Sequence, residues 1–250
     1  MQNDILTKVI KVAIQEFEQV RENIRAIRHD LIARYSWNPD EDFRINIFEQ
    51  LDNLIRSLSL SLAFHIRCIS DRDWIHPFLF KNIDTTKSQQ ANDFFQIRRN
   101  LDTFHRTGFV YTLTQVTEGA IRSLLRAIDP SDRGTDNFSL VCGNLAHKME
   151  NPSPLNDFRA AIDLLREIRN TIHNNGIYFS LDSNDKKEIK YRGKTYVFED
   201  GKPQNNSGYH ILWCITEDVA SILKIIIEDQ NVNEIDSVPI PANYLILNQE

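Results

Sequence analysis

The chain has 250 residues, 41% hydrophobic and 26% charged, the proportions of an ordinary soluble globular protein of one or two domains. Only eight Gly and eight Pro argue for long helices over a turn-rich β sandwich. The net charge of −6 sits at the end: Glu217 to Glu250 holds seven acids against one base, Lys224, and the preceding acids and bases balance, so no overall field recruits nucleic acid.

The start of the chain carries Asp4 and Lys8 inside its apolar pattern, unlike a signal peptide. Uncharged runs such as Ser57–Ile66 are too short to cross a bilayer. Cys68, Cys142 and Cys214 are scattered without disulfide-framework or metal-like spacing. The expectation is a cytoplasmic chain with no membrane partner, no metal and no cofactor.

Apolar residues at Ile10, Ala13, Phe17, Val20, Ile24, Ile27 and Leu31 alternate spacings of three and four, the seam of one long helix. SWNPDED interrupts it, with Pro39 ending the pattern and Asp40 offering an N-cap. A second seam runs through Phe48, Leu51, Ile55, Leu58, Leu62 and Ile69, with His65 on it as a core histidine in preference to a ligand. Two long helices joined by a short turn predict an antiparallel hairpin over 1–85.

The irregular aromatic stretch Ser70–Ser88 places a boundary near residue 85. A helical domain follows over 86–232. Its elements are a long helix Gln89–Ile128 broken around Arg106-Thr107-Gly108, a loop, and a helix Phe138–Met149. Next comes a helix capped by Ser153 with Pro154 at its first position, stopping at Gly176. Alternation around Arg192-Gly193 predicts a β-hairpin over about 187–198. Thr216 offers a cap for a last apolar helix ending near Asp229, and 233–250, with Pro239 and Pro241, reads as an extended tail. The fold class is all-α, a mainly helical bundle with one small β-hairpin insert.

One stretch stands out chemically: LLREIRNTIHNNG, Leu164 to Gly176. With Arg166 at zero on a helical wheel, Ala161, Leu164, Leu165, Ile168 and Ile172 fall between roughly 160° and 260° and form a core stripe. Arg166, Arg169, Asn170 and His173 gather on the opposite side. Near neutral pH a histidine can take or give a proton, and a guanidinium can hold a phosphate. Metal-independent RNA cleavage needs those two parts, a base for the ribose 2′-OH and a cation for the charge developing on phosphorus. The same residues also read as an ordinary solvated face, with His173 favoured by the helix dipole and Asn174-Asn175-Gly176 as a common stop.

RNTIHNNGIYF, after an apolar helix and before a β-hairpin, resembles the HEPN superfamily, all-α domains named for higher eukaryotes and prokaryotes nucleotide-binding. The upstream helix Arg106–Ile128, with Glu118 inside its apolar pattern, is similar to the HEPN opening helix. The resemblance covers about 90–230. It implies a homodimeric, metal-independent endoribonuclease of a prokaryotic toxin–antitoxin or abortive-infection defence system, pairing through the His173 face, with RNA and a cognate antitoxin as partners. Carried over residue by residue, Arg169 holds the phosphate and His173 is the base or acid. Asn170 orients, Arg166 is a second phosphate candidate, and Asn174 supports.

Three residues separate Arg169 from His173, one fewer than the signature's minimum. This spacing points to the alternative, a non-catalytic HEPN-like module that binds RNA or, through the acidic C-terminal region, a basic protein. Arg99-Asn100 with His105 is a second formal match, but its ends diverge on a straight helix. Arg21, Arg25 and Arg28 share one face of the first helix, near Glu22 and Asp30, and read as solvated. His29, His76, His147 and His210 are isolated, and no metal, phosphate-loop or nucleophile-elbow motif occurs.

Overall fold

A computed structural model describes residues 2–71, 75, 87–132, 137–180, 186–204 and 208–241. In chain order they form α1 (Gln2–Arg34), α2 (Phe43–Ser70), α3 (Lys87–Ile128), α4 (Phe138–Lys148), a 3-10 turn (Ser153–Phe158), α5 (Arg159–His173), β1 (Lys186–Tyr191), β2 (Lys194–Glu199), α6 (Tyr209–Glu228) and α7 (Gln230–Asn233). The chain is mainly helical with a single two-stranded antiparallel hairpin among the described residues, as the sequence predicts. No described helix is long and apolar enough to cross a membrane.

The α1 seam from Ile10 to Leu31 is buried, apart from the half-buried Ile27, and the α2 seam is buried throughout, including His65. Arg21 and Arg25 both donate to Asp52 at 2.8 Å, while Arg28 reaches back to Glu49. Later residues of α1 thus meet earlier residues of α2, the register of an antiparallel hairpin. The three arginines expected to be simply solvated are stitches across it.

Asp42, not Asp40, caps α2, accepting from the Arg44 backbone N–H at 2.9 Å. Asp40 lies inside the preceding turn, its own N–H held by the Asn38 side chain, and the chain becomes extended only at Asp42. The boundary near residue 85 and the histidine His76 lie outside the described residues. On either side of them the hydrophobic core is shared: Phe17 of α1 packs edge-on against Phe109 of α3 and Trp213 of α6.

Three further expectations are corrected. α3 runs unbroken for 42 residues through Arg106-Thr107-Gly108. A helical glycine costs about 1 kcal/mol, less than the burial of its neighbours Phe109, Val110 and Leu113 returns. Ser153 is not a side-chain cap; it opens a 3-10 turn after Pro152, and the α-helix begins only at Arg159. The Asp229 carboxylate takes the backbone N–H groups of Glu150 and Asn151, fixing the approach to that turn. Thr216 lies buried in the middle of α6, its hydroxyl on the Leu212 carbonyl, and the helix starts after Gly208. An unbroken apolar surface, including Tyr209, Leu212 and Ile215, carries the helix back past Thr216.

The β-hairpin turns at Arg192-Gly193, both at positive φ (45° and 75°), the backbone that a two-residue turn between twisted strands requires. It is fastened to α6 by the Tyr191 hydroxyl on Asp218 (2.7 Å) and by Arg192 on Glu217 (2.9 Å). The tail expected to be extended from residue 233 begins instead in helix and turn, Asn233 ending α7 and Glu234 following in helical backbone; only beyond them does Pro239 form an antiparallel bridge with Asp42. Residues 242–250 lie outside the described residues.

Candidate functional site

The end of α5 follows its sequence. Asn174 ends the helix, Asn175 (φ 56°) and Gly176 (φ 85°) turn left-handed, and the Gly176 N–H closes on the Thr171 carbonyl at 2.9 Å. Ile177 then bridges to Pro203, carrying the chain toward the hairpin. Ala161, Leu164, Leu165 and Ile168 are buried and Ile172 half-buried, as the wheel requires. Thr171 and Glu167 are buried too, so the covered arc is wider than the apolar one.

The polar side of α5 opens on a groove of about 700 Å³. Arg166, Arg169 and Asn170 line it from α5, Glu118 and Arg122 from α3, Lys186 and Lys187 from β1, and the first turn of α4 closes one end. Five cations therefore face two carboxylates, Glu118 and Glu167. Most of these charges have partners. Arg122 pairs with Glu118, Lys186 with Glu188, and Arg166 with Asp163 and Glu167. Lys187 meets Glu167 at 2.6 Å, which explains how a glutamate stays buried.

Arg169 differs. It is half-buried, its Nη1 donates only to the Asn170 amide oxygen (3.3 Å), and among the described residues it has no carboxylate partner.

His173 stands apart from the lining of the groove. Its exposed ring sits edge-on to Tyr111 of α3, with centroids 4.8 Å apart. Partial burial, aided by the Arg169 charge, lowers its pKa below the ordinary imidazole value, so the neutral ring is favoured near pH 7. Asn174 is exposed at the helix end. The structure thus gathers Arg166, Arg169 and Asn170 in one groove and holds His173 beside it.

Sequence reasoning missed Tyr111, Lys186, Lys187 and Glu167. The lysines stand at the start of the predicted hairpin, and Glu167 lies at the rim of the core stripe, so both carried a signal. Tyr111 carried none, because its meeting with His173 depends on how α3 crosses α5.

The second formal match is not assembled. The unbroken α3 turns His105 against His65 (5.3 Å between centroids) and lays Arg99 over Phe95. Burial, with His105 as the next cause, pushes His65 down to about 4. Among the described residues, no group of three or more His, Cys, Asp or Glu is arranged to hold a metal. The three cysteines form no disulfide. No protein-family model, curated protein or solved structure matches this chain.

Proposed function

We propose that the protein is a HEPN-type, metal-independent endoribonuclease that works as a homodimer in the cytoplasm, in a prokaryotic defence or toxin–antitoxin setting. One observation carries the reading. Arg169 is a cation that meets no carboxylate among the described residues, in a predominantly basic groove, next to an accessible histidine kept neutral near pH 7. A guanidinium in that state has its donors available for a phosphate.

In the reaction, neutral His173 takes the proton of a ribose 2′-OH, and the 2′-oxygen forms its bond to the adjacent phosphorus. The 5′-oxygen leaves and takes up the proton that the His173 imidazolium has just gained. Arg169 balances the charge growing on the phosphoryl oxygens, and Asn170 fixes the guanidinium. Arg166, tied to Asp163 and Glu167, acts as a wall of the groove and a second contact for the backbone.

The test is cleavage of labelled RNA in EDTA. Chelator-resistant products with 2′,3′-cyclic phosphate ends, reduced at least about 100-fold in both His173→Ala and Arg169→Ala, are expected. Unchanged cleavage by folded His173→Ala overturns the assignment.

A second reading has its own observation: His173 lies outside the groove and its ring packs on Tyr111. It makes the protein a non-catalytic HEPN-like module that binds RNA or a basic protein. RNA binding that depends on Arg169 without any cleavage selects the RNA-binding form. The acidic C-terminal region favours the protein-binding form less than its composition implies. Glu217, Asp218, Glu228 and Asp229 are engaged by Arg192, Tyr191, Arg34 and backbone N–H groups.

A further inference from the structure

Beside the basic groove lies a second concavity, a cavity of about 330 Å³ between α4, the 3-10 turn and α5. Its floor is apolar, made by Ile121 of α3 with Ile222 and Ile226 of α6, all buried. Phe138 and Phe158 supply aromatic walls, and the Ser139 hydroxyl and Asn156 amide give polar edges. Phe138, Ser139 and Arg166 line both this cavity and the groove, so the two form one continuous surface. The Cys142 thiol lines the cavity and is pushed up to about 12 by burial, so it serves there as a neutral, apolar wall.

Gly143 adds an independent observation. It sits inside α4, where glycine costs about 1 kcal/mol relative to alanine. Its backbone does not call for glycine, since its φ is not positive, and a Cβ built there meets nothing within 4 Å. Gly143 is exposed on the lining of the cavity, and a side chain there has open space to enter.

A ligand suited to both parts has an anionic group for the cations and a flat, largely apolar ring with polar edges for the cavity. We infer that the cavity is a nucleobase subsite, which takes the base of a ribonucleotide whose phosphate lies on the Arg169 side of the shared Phe138–Arg166 rim. This inference rests on the groove being the RNA site. The base stacks against the phenylalanines, and Ser139 and Asn156 meet its hydrogen-bonding edge.

The experiment measures the affinity of a fluorescent oligoribonucleotide and of the same backbone with abasic sites, for the wild type, Gly143→Leu and Arg169→Ala. Gly143→Leu places a bulky side chain on the cavity lining and a good helix former in α4, so its melting temperature is expected to match or exceed that of the wild type. The wild type should prefer the base-bearing strand by at least about tenfold, the scale of one stacked base. Gly143→Leu should erase that preference while keeping abasic binding, and Arg169→Ala should weaken both strands.

Equal affinity of the wild type for the two strands overturns the subsite. So does an undiminished preference in Gly143→Leu while Arg169→Ala lowers binding, and that pattern keeps the groove. A preference lost in Gly143→Leu and untouched in Arg169→Ala keeps the cavity as a base site and overturns the groove. No binding of either strand overturns both. Photo-crosslinking with a 4-thiouridine-bearing strand reads the same site in the unaltered protein: adducts on α4 support it, and adducts confined to other elements overturn it.

Discussion

Arg44 and Arg169 are both largely removed from solvent, yet they live in opposite chemical states. Arg44 is fully buried and fully used. Nε and Nη2 form a fork on Asp42 at 2.9 and 2.6 Å, Nη1 reaches the carbonyls of Val232 and Ile235, and the guanidinium lies 3.8 Å over the Trp37 ring. Arg169 has one amide oxygen and a groove. The first cation joins the start of α2 to the C-terminal segment, and every donor it spends there is lost to any ligand. The second keeps its donors. A cation's role is therefore read from what its donors already hold, and two arginines that look alike in sequence separate cleanly on that test.

The largest effect is expected at Arg44. Arg44→Ala leaves Asp42 buried with its charge uncompensated and strips the carbonyls of their donor. Stability should fall by about 3–5 kcal/mol, measured by urea unfolding. Arg44→Lys keeps the charge but not the fork, and should recover only part of the loss. If Arg44→Ala costs under about 1 kcal/mol, saturation of the guanidinium is not what holds the tail to α2.

The histidines give a parallel contrast. His173 is exposed; His65 is completely buried, and neither of its ring nitrogens has a hydrogen-bond partner among the described residues. His105, Asp102 and Arg98 of α3 are the charged and titratable groups that act on it. Because the folded value is about 4 and the ordinary one 6.5, the unfolded chain takes up a proton first as pH falls. Stability is therefore lost between pH 6.5 and about 4, by up to roughly 3 kcal/mol from this group. His65→Leu should flatten that part of the acid profile relative to the wild type. Parallel profiles for the two proteins would mean that His65 does not titrate differently on folding.

What the sequence reveals and what it conceals follow from range. Seams such as Ile10–Leu31 and the Arg192-Gly193 turn are local patterns, and their elements appear where the spacing puts them. The core and polar sides of α5 are legible for the same reason. Caps are less so: Asp40, Ser153 and Thr216 all have the right chemistry, but Asp40 is overruled by Asn38 and Asp42 beside it, Thr216 by the apolar residues just before it, and Ser153 by neighbours that no local window contains. Asp229 acting on Glu150 and Asn151 is one such neighbour. The groove is the extreme case. Arg166, Arg169 and Asn170 are visible in the sequence, as is the spacing that lets Asp163 and Glu167 of the same helix pair with Arg166, whereas the lysines opposite them and the seat of His173 on Tyr111 arise only when α3, α5 and β1 meet.

The smallest expected effect tests the comparison from its other side. Arg169→Ala removes a guanidinium that has no carboxylate partner to orphan among the described residues, so its stability change should stay within about 0.5 kcal/mol. The Asn170 amide loses one donor at a surface open to water, which replaces it. A melting curve matching the wild type, alongside weakened RNA binding, is what a cation reserved for a ligand produces. A loss approaching that of Arg44→Ala would instead show that Arg169 is a second structural clamp and not a cation reserved for a ligand.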